Sequence, residues 1–569
     1  MRRRSFLGAL ATVPLVGQAP TPVFQEIPPE KSGIHWVHDS ARSPQRYMPE
    51  AIGPGCAVFD FDNDGWMDLF FVNSGPSVFY QPKTAPQHAL YKNNRDGTFS
   101  NVTGKSGIAA NFFGMGCAVG DFDNDGWPDL LVTGYSRVAL YKNNRNGSFT
   151  DITEQAGLGP AKLISNWTTS AAWFDSTGSG RLDLFLCAYV DFGSKPPFAS
   201  CGDNRLGRNF YCVPRVFKGM ASMLFLNNGD GTFTYASAGT PIAESLGKAL
   251  GVVATDINND GRMDLFVAND TVQNFLFVNR GKGPRGLPQW EEIGLASEVG
   301  YGENGQARSG MGADAADFDQ DGWEDLFVTN IDQEMYSLYR NNKDETFTDI
   351  AHRQGVAQAT RMMSGWGLKF FDYDNDGNLD LLLANSHPDD MIEQYSENIK
   401  YAMPPQLFHQ ENGRLRLLSP AEAGAVFGRP LTARGLALGD LWNRGRLDAL
   451  IANNGAAPVL LRNEAGAGNH WLGVRLVGKT ANRDAIGARI AWKGTDPKTG
   501  DKVRRRLKTS GGSYLSSHDP REILGLGGAS TCEYVEVAWP QPSTRRERFP
   551  GLAADAYHVL EEGKGVEVK

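Results

Sequence analysis

The chain has 569 residues, which is too long for one ordinary hydrophobic core and predicts several domains or one large repeat array. Its 66 glycines indicate a turn-rich protein, and its formal net charge of −9 argues against a general nucleic-acid binder. No transmembrane segment is expected, because no stretch reaches the roughly 18 uninterrupted apolar residues that a spanning helix needs.

The N-terminus has the pattern of an export signal. Three arginines precede the apolar run 6–16. The sequence Arg3-Arg4-Ser5-Phe6-Leu7 resembles the twin-arginine motif, although Arg2 stands where that motif prefers Ser or Thr. We therefore predict that residues 1–19 are an export signal and that the protein is periplasmic or extracellular. The alternative is a retained N-terminal anchor.

One pattern recurs seven times over residues 20–465. Each repeat has a short apolar strand, an aspartate-rich turn and a second apolar strand, followed by a Leu/Tyr-rich strand that ends in Asn and a strand with Phe. Four short strands per repeat are what a propeller blade requires. The sequence therefore predicts an all-β, seven-bladed β-propeller, with a solenoid as the alternative. The seven turns begin at Asp60, Asp121, Asp175, Asp256, Asp317, Asp372 and Asp440.

The two ends of the repeat array complement each other. The seventh repeat stops at Leu460-Leu-Arg-Asn463 without a Phe-containing strand, and Phe24-Gln-Glu-Ile27 is such a strand with no repeat before it. We expect the N-terminal strand to complete the last blade, because this closure leaves no unpaired edge.

The first turn, from Asp60 to Asp68, has the spacing of a calcium-binding loop. Carboxylates stand at positions 1, 3, 5 and 9, and Gly at position 6 allows the turn that brings in the carbonyl of position 7. Hard oxygen ligands in this number favour Ca²⁺ over Mg²⁺. Four loops are complete and a fifth has Asn258 in place of one carboxylate, so we predict about five calcium ions. The predicted ligand positions are Asp60, Asp62, Asp64, Trp66, Asp68, Asp121, Asp123, Asp125, Trp127, Asp129, Asp256, Asn258, Asp260, Arg262, Asp264, Asp317, Asp319, Asp321, Trp323, Asp325, Asp372, Asp374, Asp376, Asn378 and Asp380.

The third and seventh loops depart from this pattern. The third keeps only the carboxylates of Asp175 and Asp183, so whether it binds metal stays open. The seventh has Trp442 and Arg444 at ligand positions and is predicted to be empty, with Arg444 as a candidate to take the place of the cation.

The cysteines divide into two groups. Cys201 and Cys212 lie in one Gly- and Pro-rich insertion, where we expect a disulfide in an oxidising compartment. The other cysteines lie in apolar, strand-like runs and are predicted to be buried free thiols. They are Cys56, Cys117, Cys187 and Cys532.

The face opposite the aspartate loops is the expected place for a ligand, because long insertions at 188–222, 302–310 and 387–406 lie there. Asparagines recur where the second strands end, and they either contact a ligand or cap the strands. The catalytic candidates are His387, Asp270, Glu50 and His38. The ligand-face asparagines are Asn73, Asn269, Asn330, Asn385 and Asn453.

These repeats resemble the FG-GAP (VCBS) repeats of β-propellers, as in integrin α-subunit heads and, more closely, the cartilage acidic protein family. Beyond them, Asn482 to Ile490, Ser510 to Ser517 and Leu524-Gly-Leu-Gly527 resemble an ASPIC/UnbV domain. The resemblance implies a small β-sandwich or barrel-like domain over residues 470–565.

Three functions fit these features. The first is a monomeric binding or adhesion module for an extracellular glycan, protein or small molecule, since no catalytic motif is found. The second, implied by the resemblance, is a carbohydrate-active enzyme of the lyase or dehydratase type with an axial site. The third, also from the resemblance, is an accessory protein of natural-product biosynthesis. Fold alone does not decide among them.

Overall fold

The computed structural model describes residues 22–109, 111–159, 167–203, 207–283, 286–495 and 502–568. The predicted export signal, residues 1–19, lies outside these ranges. None of the helices in the described part of the chain has the length and apolar character needed to cross a membrane.

Seven antiparallel sheets, six with four strands and one with five, make up most of the described chain, and we number them as blades 1 to 7. The fifth strand, Ser510–Gly511, pairs with the first strand of blade 4. Blade 1 contains Cys56–Phe59, Asp68–Phe71, Ala89–Asn93 and Phe99–Asn101, and blade 2 contains Gly114–Gly120, Asp129–Gly134, Val138–Asn143 and Phe149–Asp151. Blade 3 contains Thr168–Phe174, Asp183–Ala188, Met223–Asn227 and Phe233–Tyr235, and blade 4 contains Ala249–Thr255, Asp264–Asn269, Phe275–Lys282 and Pro288–Glu292. Blade 5 contains Ala313–Ala316, Asp325–Val328, Ser337–Asn341 and Phe347–Asp349, and blade 6 contains Gly365–Phe371, Asp380–Asn385, Gln406–Glu411 and Arg414–Leu417. Blade 7 contains Ala433–Gly439, Asp448–Asn453, Val459–Asn463 and Phe24–Ile27.

The blades form a closed ring, which confirms the predicted all-β propeller class. The first strand of each blade packs against the first strand of the next, and that of blade 7 packs against that of blade 1. The N-terminal strand pairs with the third strand of blade 7 from Phe24 opposite Asn463 to Ile27 opposite Leu460. The first and last repeats therefore share one sheet, as their complementary ends predicted.

Short helices lie in the connections between strands. The α-helices are Pro29–Ser32, Thr103–Ser106, Pro241–Glu244, Val356–Thr360 and Pro420–Ala423. The 3₁₀ helices are Met48–Ala51, Pro214–Val216, Ile392–Gln394 and Ala425–Gly428. Two short strand pairs lie in the insertion of blade 3 and beside it: Cys201–Asp203 with Arg208–Phe210, and Met220–Ala221 with Leu246–Gly247.

A ring of buried amides joins each blade to its neighbour. One residue of each third strand donates its side-chain amide to a backbone carbonyl in the aspartate loop of the preceding blade, at 2.7–2.9 Å. The sequence pattern contained these residues but did not indicate their partners. In order of blades, the pairs are Asn93–Leu441, Asn143–Phe61, Asn227–Phe122, Asn279–Ser176, Asn341–Ile257, Gln410–Phe318 and Asn463–Tyr373.

We expect Asn143→Ala to lower the free energy of unfolding by about 2 kcal/mol or more, because it leaves the buried carbonyls of Phe61 and Pro128 without their donor. Urea unfolding at saturating calcium measures this change. Asn144→Ala is the matched control, since the adjacent Asn144 is exposed and bonds only within its own turn. Equal losses in the two variants would contradict a structural role for the amide ring.

The C-terminal domain consists of two sheets around one core. A three-stranded sheet contains Glu522–Gly527, His470–Val477 and Ala556–Glu561, and a five-stranded sheet contains Val503–Leu507, Arg489–Gly494, Cys532–Ala538, Arg546–Pro550 and Val566–Glu567. Leu472, Ile490, Trp492, Leu524 and Val535 are buried together between them. The predicted small β-sandwich is therefore present.

One loop of the C-terminal domain enters the propeller. Residues 508–518, here called the axial loop, lie among the first strands of the ring and hydrogen-bond to all seven blades. Nothing in the sequence indicated this insertion. For blades 1 to 7 the bonded pairs are Ser517–Cys56 (3.0 Å), Leu515–Cys117 (3.0 Å), Leu515–Ser170 (3.0 Å), Gly512–Val252 (2.8 Å), Ser513–Ala313 (3.1 Å), Ser513–Leu368 (3.3 Å) and Ser513–Leu436 (2.8 Å).

Candidate metal-binding loops and the cap face

The aspartate loops connect the first and second strands of each blade on one face of the ring. In loop 1, both carboxylate oxygens of Asp60 accept backbone N–H groups, from Asp64 at 2.9 Å and Gly65 at 2.8 Å. The next residue, Trp66, donates its N–H to Asp64 at 3.0 Å. In all seven loops the glycine at position 6 donates to the aspartate at position 1. The loops therefore share one backbone shape whatever their carboxylate content.

Four of the loops bring three carboxylates together, with oxygens that all lie within 4.8 Å of one another. Three of these loops also contain buried carboxylate oxygens without a hydrogen-bond partner: those of Asp62, Asp123, Asp129 and Asp372. Oxygens of this kind fit a hard cation such as Ca²⁺. The four groups are Asp60/Asp62/Asp68, Asp121/Asp123/Asp129, Asp317/Asp319/Asp321 and Asp372/Asp374/Asp380.

Burial makes these clusters unfavourable as bare anions. Desolvation raises the pKa of Asp68, Asp129 and Asp325 well above the ordinary range, and the neighbouring aspartates of each loop add to the effect. Desolvation likewise raises the pKa of Asp380 to about 7. A bound divalent cation would compensate these charges.

Basic side chains on the third strands approach the same clusters from outside the loop. Lys92 lies 2.9 Å from Asp64 and is also paired with Asp62. The equivalent Lys142 is paired with Asp123, and Arg340 lies 2.7 Å from Asp319. Each of these ion pairs involves one carboxylate oxygen. The sequence pattern did not indicate these basic residues.

The fourth loop differs from the expected calcium site. Its three aspartates are not among the clustered groups. Arg489 of the C-terminal domain lies 2.6 Å from Asp256, and Arg262 is paired with Asp260. The amide of Asn258 donates to Glu345 at 3.0 Å. Two guanidinium groups thus compensate part of the charge of this loop, and the number of calcium ions stays a prediction.

The third and seventh loops also satisfy their aspartates without a clustered carboxylate set. In loop 3 the hydroxyl of Ser176 donates to Asp183 at 2.6 Å. In loop 7 the guanidinium of Arg444 lies 3.3 Å from Asp448, and Tyr557 of the C-terminal domain donates to Asp440 at 2.6 Å. Arg444 therefore reaches an aspartate of the loop, as the sequence had suggested.

The opposite face is covered by three segments that contact one another, and we call their outer surface the cap face. They are residues 38–51, the insertion of blade 3 (190–203 and 207–219) and residues 387–404. Arg208 donates to Gln394 at 2.6 Å, and the rings of Phe210 and Tyr395 lie 5.5 Å apart, edge to face. The disulfide between Cys201 and Cys212 closes the blade 3 insertion, as predicted.

The remaining four cysteines, at positions 56, 117, 187 and 532, are free and buried, which also agrees with the sequence.

The five candidate ligand-face asparagines lie beneath the surface. Each is at most 3% exposed, and each donates its amide to a backbone carbonyl in the loop that follows the second strand. The strand-capping alternative describes these contacts better than ligand contact does, because a short amide side chain reaches only the adjacent loop. The acceptor carbonyls of Asn73, Asn269, Asn330, Asn385 and Asn453 belong to Gln87, Gln273, Met335, Pro404 and Ala457.

The catalytic candidates are divided among separate hydrogen-bond networks. His387 accepts the N–H of Asp389 at 3.0 Å and places its other ring nitrogen 3.4 Å from Asp332. Asp270 instead accepts the hydroxyl of Tyr189 at 2.6 Å. Among the described residues, no hydrogen bond or ion pair joins His387 to Asp270.

Glu50 and His38 also have structural partners. Glu50 accepts hydroxyl groups from Ser43 at 2.5 Å and from Tyr211 at 3.2 Å. His38 accepts the N–H of Gly455 at 3.1 Å, and burial lowers the pKa of its imidazole to about 3. His38 is therefore neutral at physiological pH, and the four candidates form no convergent catalytic set among the described residues.

The axial channel is occupied by the axial loop. At its tip, Tyr514 is buried and donates its hydroxyl to the carbonyl of Ile52, at the base of the cap segment 38–51. A catalytic site inside the channel would have to displace this loop.

Comparison with known proteins identifies the repeats and the C-terminal domain. A family model described as FG-GAP-like repeat matches residues 60–132, 121–186, 216–267, 256–328 and 317–383. A model described as ASPIC and UnbV matches residues 478–567.

Among curated proteins, the chain is similar to cartilage acidic protein 1. It is 25% identical to the Xenopus tropicalis protein over 527 residues, which cover 87% of this chain and 72% of the relative. It is 24% identical to the Homo sapiens protein over 515 residues, which cover 86% and 69%.

Among solved structures, the chain is similar to an Agrocybe aegerita protein described as recognising non-reducing terminal N-acetylglucosamine, with 16% identity and a TM-score of 0.37. That match covers 70% of this chain and 85% of the other. It is also similar to the BP39L lectin of Burkholderia pseudomallei, with 12% identity, a TM-score of 0.43, and coverage of 73% and 97%.

Proposed function

The chain belongs to the FG-GAP-like repeat family and carries an ASPIC and UnbV domain, and on this basis we propose that it is an exported, calcium-stabilised binding module. Its cap face would hold an extracellular glycan, protein or small molecule. The observation that carries the proposal is the contrast between the two faces. One has four carboxylate clusters suited to calcium, and the other has a cross-linked surface with exposed aromatic and apolar side chains.

Calcium would be held by loops 1, 2, 5 and 6, where carboxylates converge, and in loops 1, 2 and 6 buried carboxylate oxygens also lack a hydrogen-bond partner. When bound, it supplies charge compensation for loops that connect the first and second strands of each blade. Among the described residues, loops 3, 4 and 7 have no such cluster of three carboxylates, so we assign no ion to them.

Calcium titration by isothermal calorimetry tests this assignment. We expect about four ions per chain, and we expect Asp123→Asn in loop 2 to remove one of them because it removes a clustered ligand. Asp175→Asn in loop 3 is the matched control and should leave the stoichiometry unchanged. Loss of an ion from both variants would show that loop 3 also binds, and absence of calcium binding in the wild type would refute the proposal.

Export is supported by the disulfide of the blade 3 insertion, since such bonds persist in oxidising compartments. The insertion is a long loop on a rigid ring, which is where proteins place binding residues. Tyr395, which packs against the insertion in the cap face, is 57% exposed. The hydroxyl of Tyr395 donates a hydrogen bond to Asp389, which fixes the position of the ring. A rigid, exposed aromatic ring has little conformational entropy to lose when a ligand packs against it.

A binding screen of immobilised oligosaccharides and extracellular-matrix polymers at saturating calcium tests the binding role. For any ligand found, we expect Tyr395→Ala to weaken affinity about tenfold or more, as loss of a central aromatic contact does. Tyr235→Ala is the control, because Tyr235 is 40% exposed on the outer strand of blade 3. Conversion of a ligand to product, or equal effects of the two variants, would contradict a binding role for the cap face.

A further inference from the structure

Both strands that flank the axial loop donate hydrogen bonds to loop 6. Arg504, in the preceding strand, donates to the carbonyl of Asp376 at 2.8 Å, and Gly527, in the following strand, donates its N–H to the carbonyl of Asn375 at 2.8 Å. Asn469 donates to the carbonyl of Asp374 at 2.8 Å. The C-terminal domain therefore binds three successive backbone carbonyls within one of the carboxylate-rich loops.

The carboxylate at position 1 of loop 6 lies directly against this domain. A Cβ atom added to Gly525 would be 2.0 Å from a carboxylate oxygen of Asp372, so only glycine fits there. The fit is complementary in shape and depends on where the Asp372 carboxylate points. Calcium bound by Asp372, Asp374 and Asp380 would fix that direction.

Loop 2 is held in a second place. The N–H of Asp121, the first aspartate of the loop, donates to the carboxylate of Asp484 at 2.8 Å. The side chain of Asn124 accepts the N–H of Arg483 at 2.9 Å, and the Arg483 guanidinium lies 3.6 Å from Asp121. Loops 2 and 6 thus form two attachment points for the domain that carries the axial loop.

The other two carboxylate clusters lack such contacts. In the described part of the chain, no hydrogen bond or ion pair links the C-terminal domain to loop 1 (60–68) or loop 5 (317–325). These loops have similar carboxylate sets, and each accepts a hydrogen bond from a side-chain amide of the next blade, as the other loops do. They provide an internal comparison for the effect of calcium alone.

Resting on the proposed calcium binding, we propose that the ions of loops 2 and 6 control the axial loop. Calcium in these two loops orders the backbone that the C-terminal domain grips, and it thereby holds the axial loop in the channel. Calcium in loops 1 and 5 stabilises blades without this effect. Because linkage is reciprocal, insertion of the axial loop also raises the calcium affinity of loops 2 and 6.

Hydrogen–deuterium exchange of the full-length protein tests this coupling. The reporters are the amides of Gly512, Leu515 and Ser517, whose N–H groups bond to blades 4, 3 and 1. Each of four variants replaces the aspartate at position 3 of one loop by asparagine, and calcium stoichiometry is measured for each. The variants are Asp123→Asn, Asp374→Asn, Asp62→Asn and Asp319→Asn.

We expect the first two variants, in loops 2 and 6, to exchange these amides at least about tenfold faster than the last two. Equal exchange in all four, with one ion lost from each, would overturn the coupling and leave calcium binding intact. A wild-type protein that binds no calcium would overturn both. If a variant fails to fold, hydrogen–deuterium exchange of the wild-type protein at increasing calcium concentration tests the proposal instead. The amides of the axial loop must become protected from exchange as calcium fills loops 2 and 6. Protection that does not depend on calcium would refute the proposal.

Discussion

Removal of calcium is expected to lower the midpoint of thermal unfolding by about 10 °C or more. A ligand that binds only the folded state at one hundred times its dissociation constant contributes about 2.7 kcal/mol, so four independent sites contribute on the order of 10 kcal/mol. The clusters depend on the folded loop, and three of the four bring together aspartates from both ends of a loop. Their mutual repulsion without an ion adds to the loss.

Differential scanning calorimetry with and without a chelator measures this shift. Magnesium is the control ion, since it keeps its waters and demands octahedral geometry, and it should restore little of the lost stability. A position-3 variant such as Asp62→Asn should show a smaller shift on chelation than the wild type, because it has one site fewer. A melting curve unchanged by chelation would contradict the structural role of calcium.

The parts of this molecule that could be predicted from sequence depend on local patterns. The aspartate loops and the strand spacing recur from one repeat to the next, and the closing strand Phe24–Ile27 supplies the strand that the last repeat lacks. The disulfide joins residues that are 11 positions apart. Short separation allows the covalent chain itself to restrict the possible partners.

The parts that could not be predicted depend on distant partners. Arg489 reaches Asp256 across 233 residues, and Tyr514 reaches Ile52 across 462. The sequence contained Arg262 at position 7 of loop 4, but only the fold brings a second guanidinium to that loop. The recurrent strand-end asparagines were visible as a pattern, and their role as buried loop-closing groups required the backbone around them.

The largest single effect is expected from removing the C-terminal domain. We predict that a chain ending at residue 465 has no cooperative unfolding transition and is recovered mainly as aggregate. The axial loop supplies hydrogen-bond partners to the first strands of all seven blades, and buried backbone groups left without partners cost about 1–3 kcal/mol each. Several such losses exceed the usual stability of a folded protein.

The propeller itself is shaped for the axial loop. A Cβ atom on Gly55 would lie 1.9 Å from the carbonyl oxygen of Leu515, and one on Gly435 would lie 2.6 Å from the hydroxyl of Ser516. Leu515 is 1% exposed and packs among residues of several blades. These glycines leave room for a loop that arrives from another domain, so we predict that the ring and the domain unfold together.

Two measurements distinguish this from a simple loss of solubility. Leu515→Ala in the full-length chain keeps the domain and removes only a buried contact, and it should lower the free energy of unfolding by about 2–5 kcal/mol. Leu417→Ala is the control, because Leu417 is 40% exposed on the outer strand of blade 6. A truncated propeller that unfolds cooperatively near the wild-type temperature would show that the blades close without the axial loop. The C-terminal domain would then be an attachment to a self-sufficient ring.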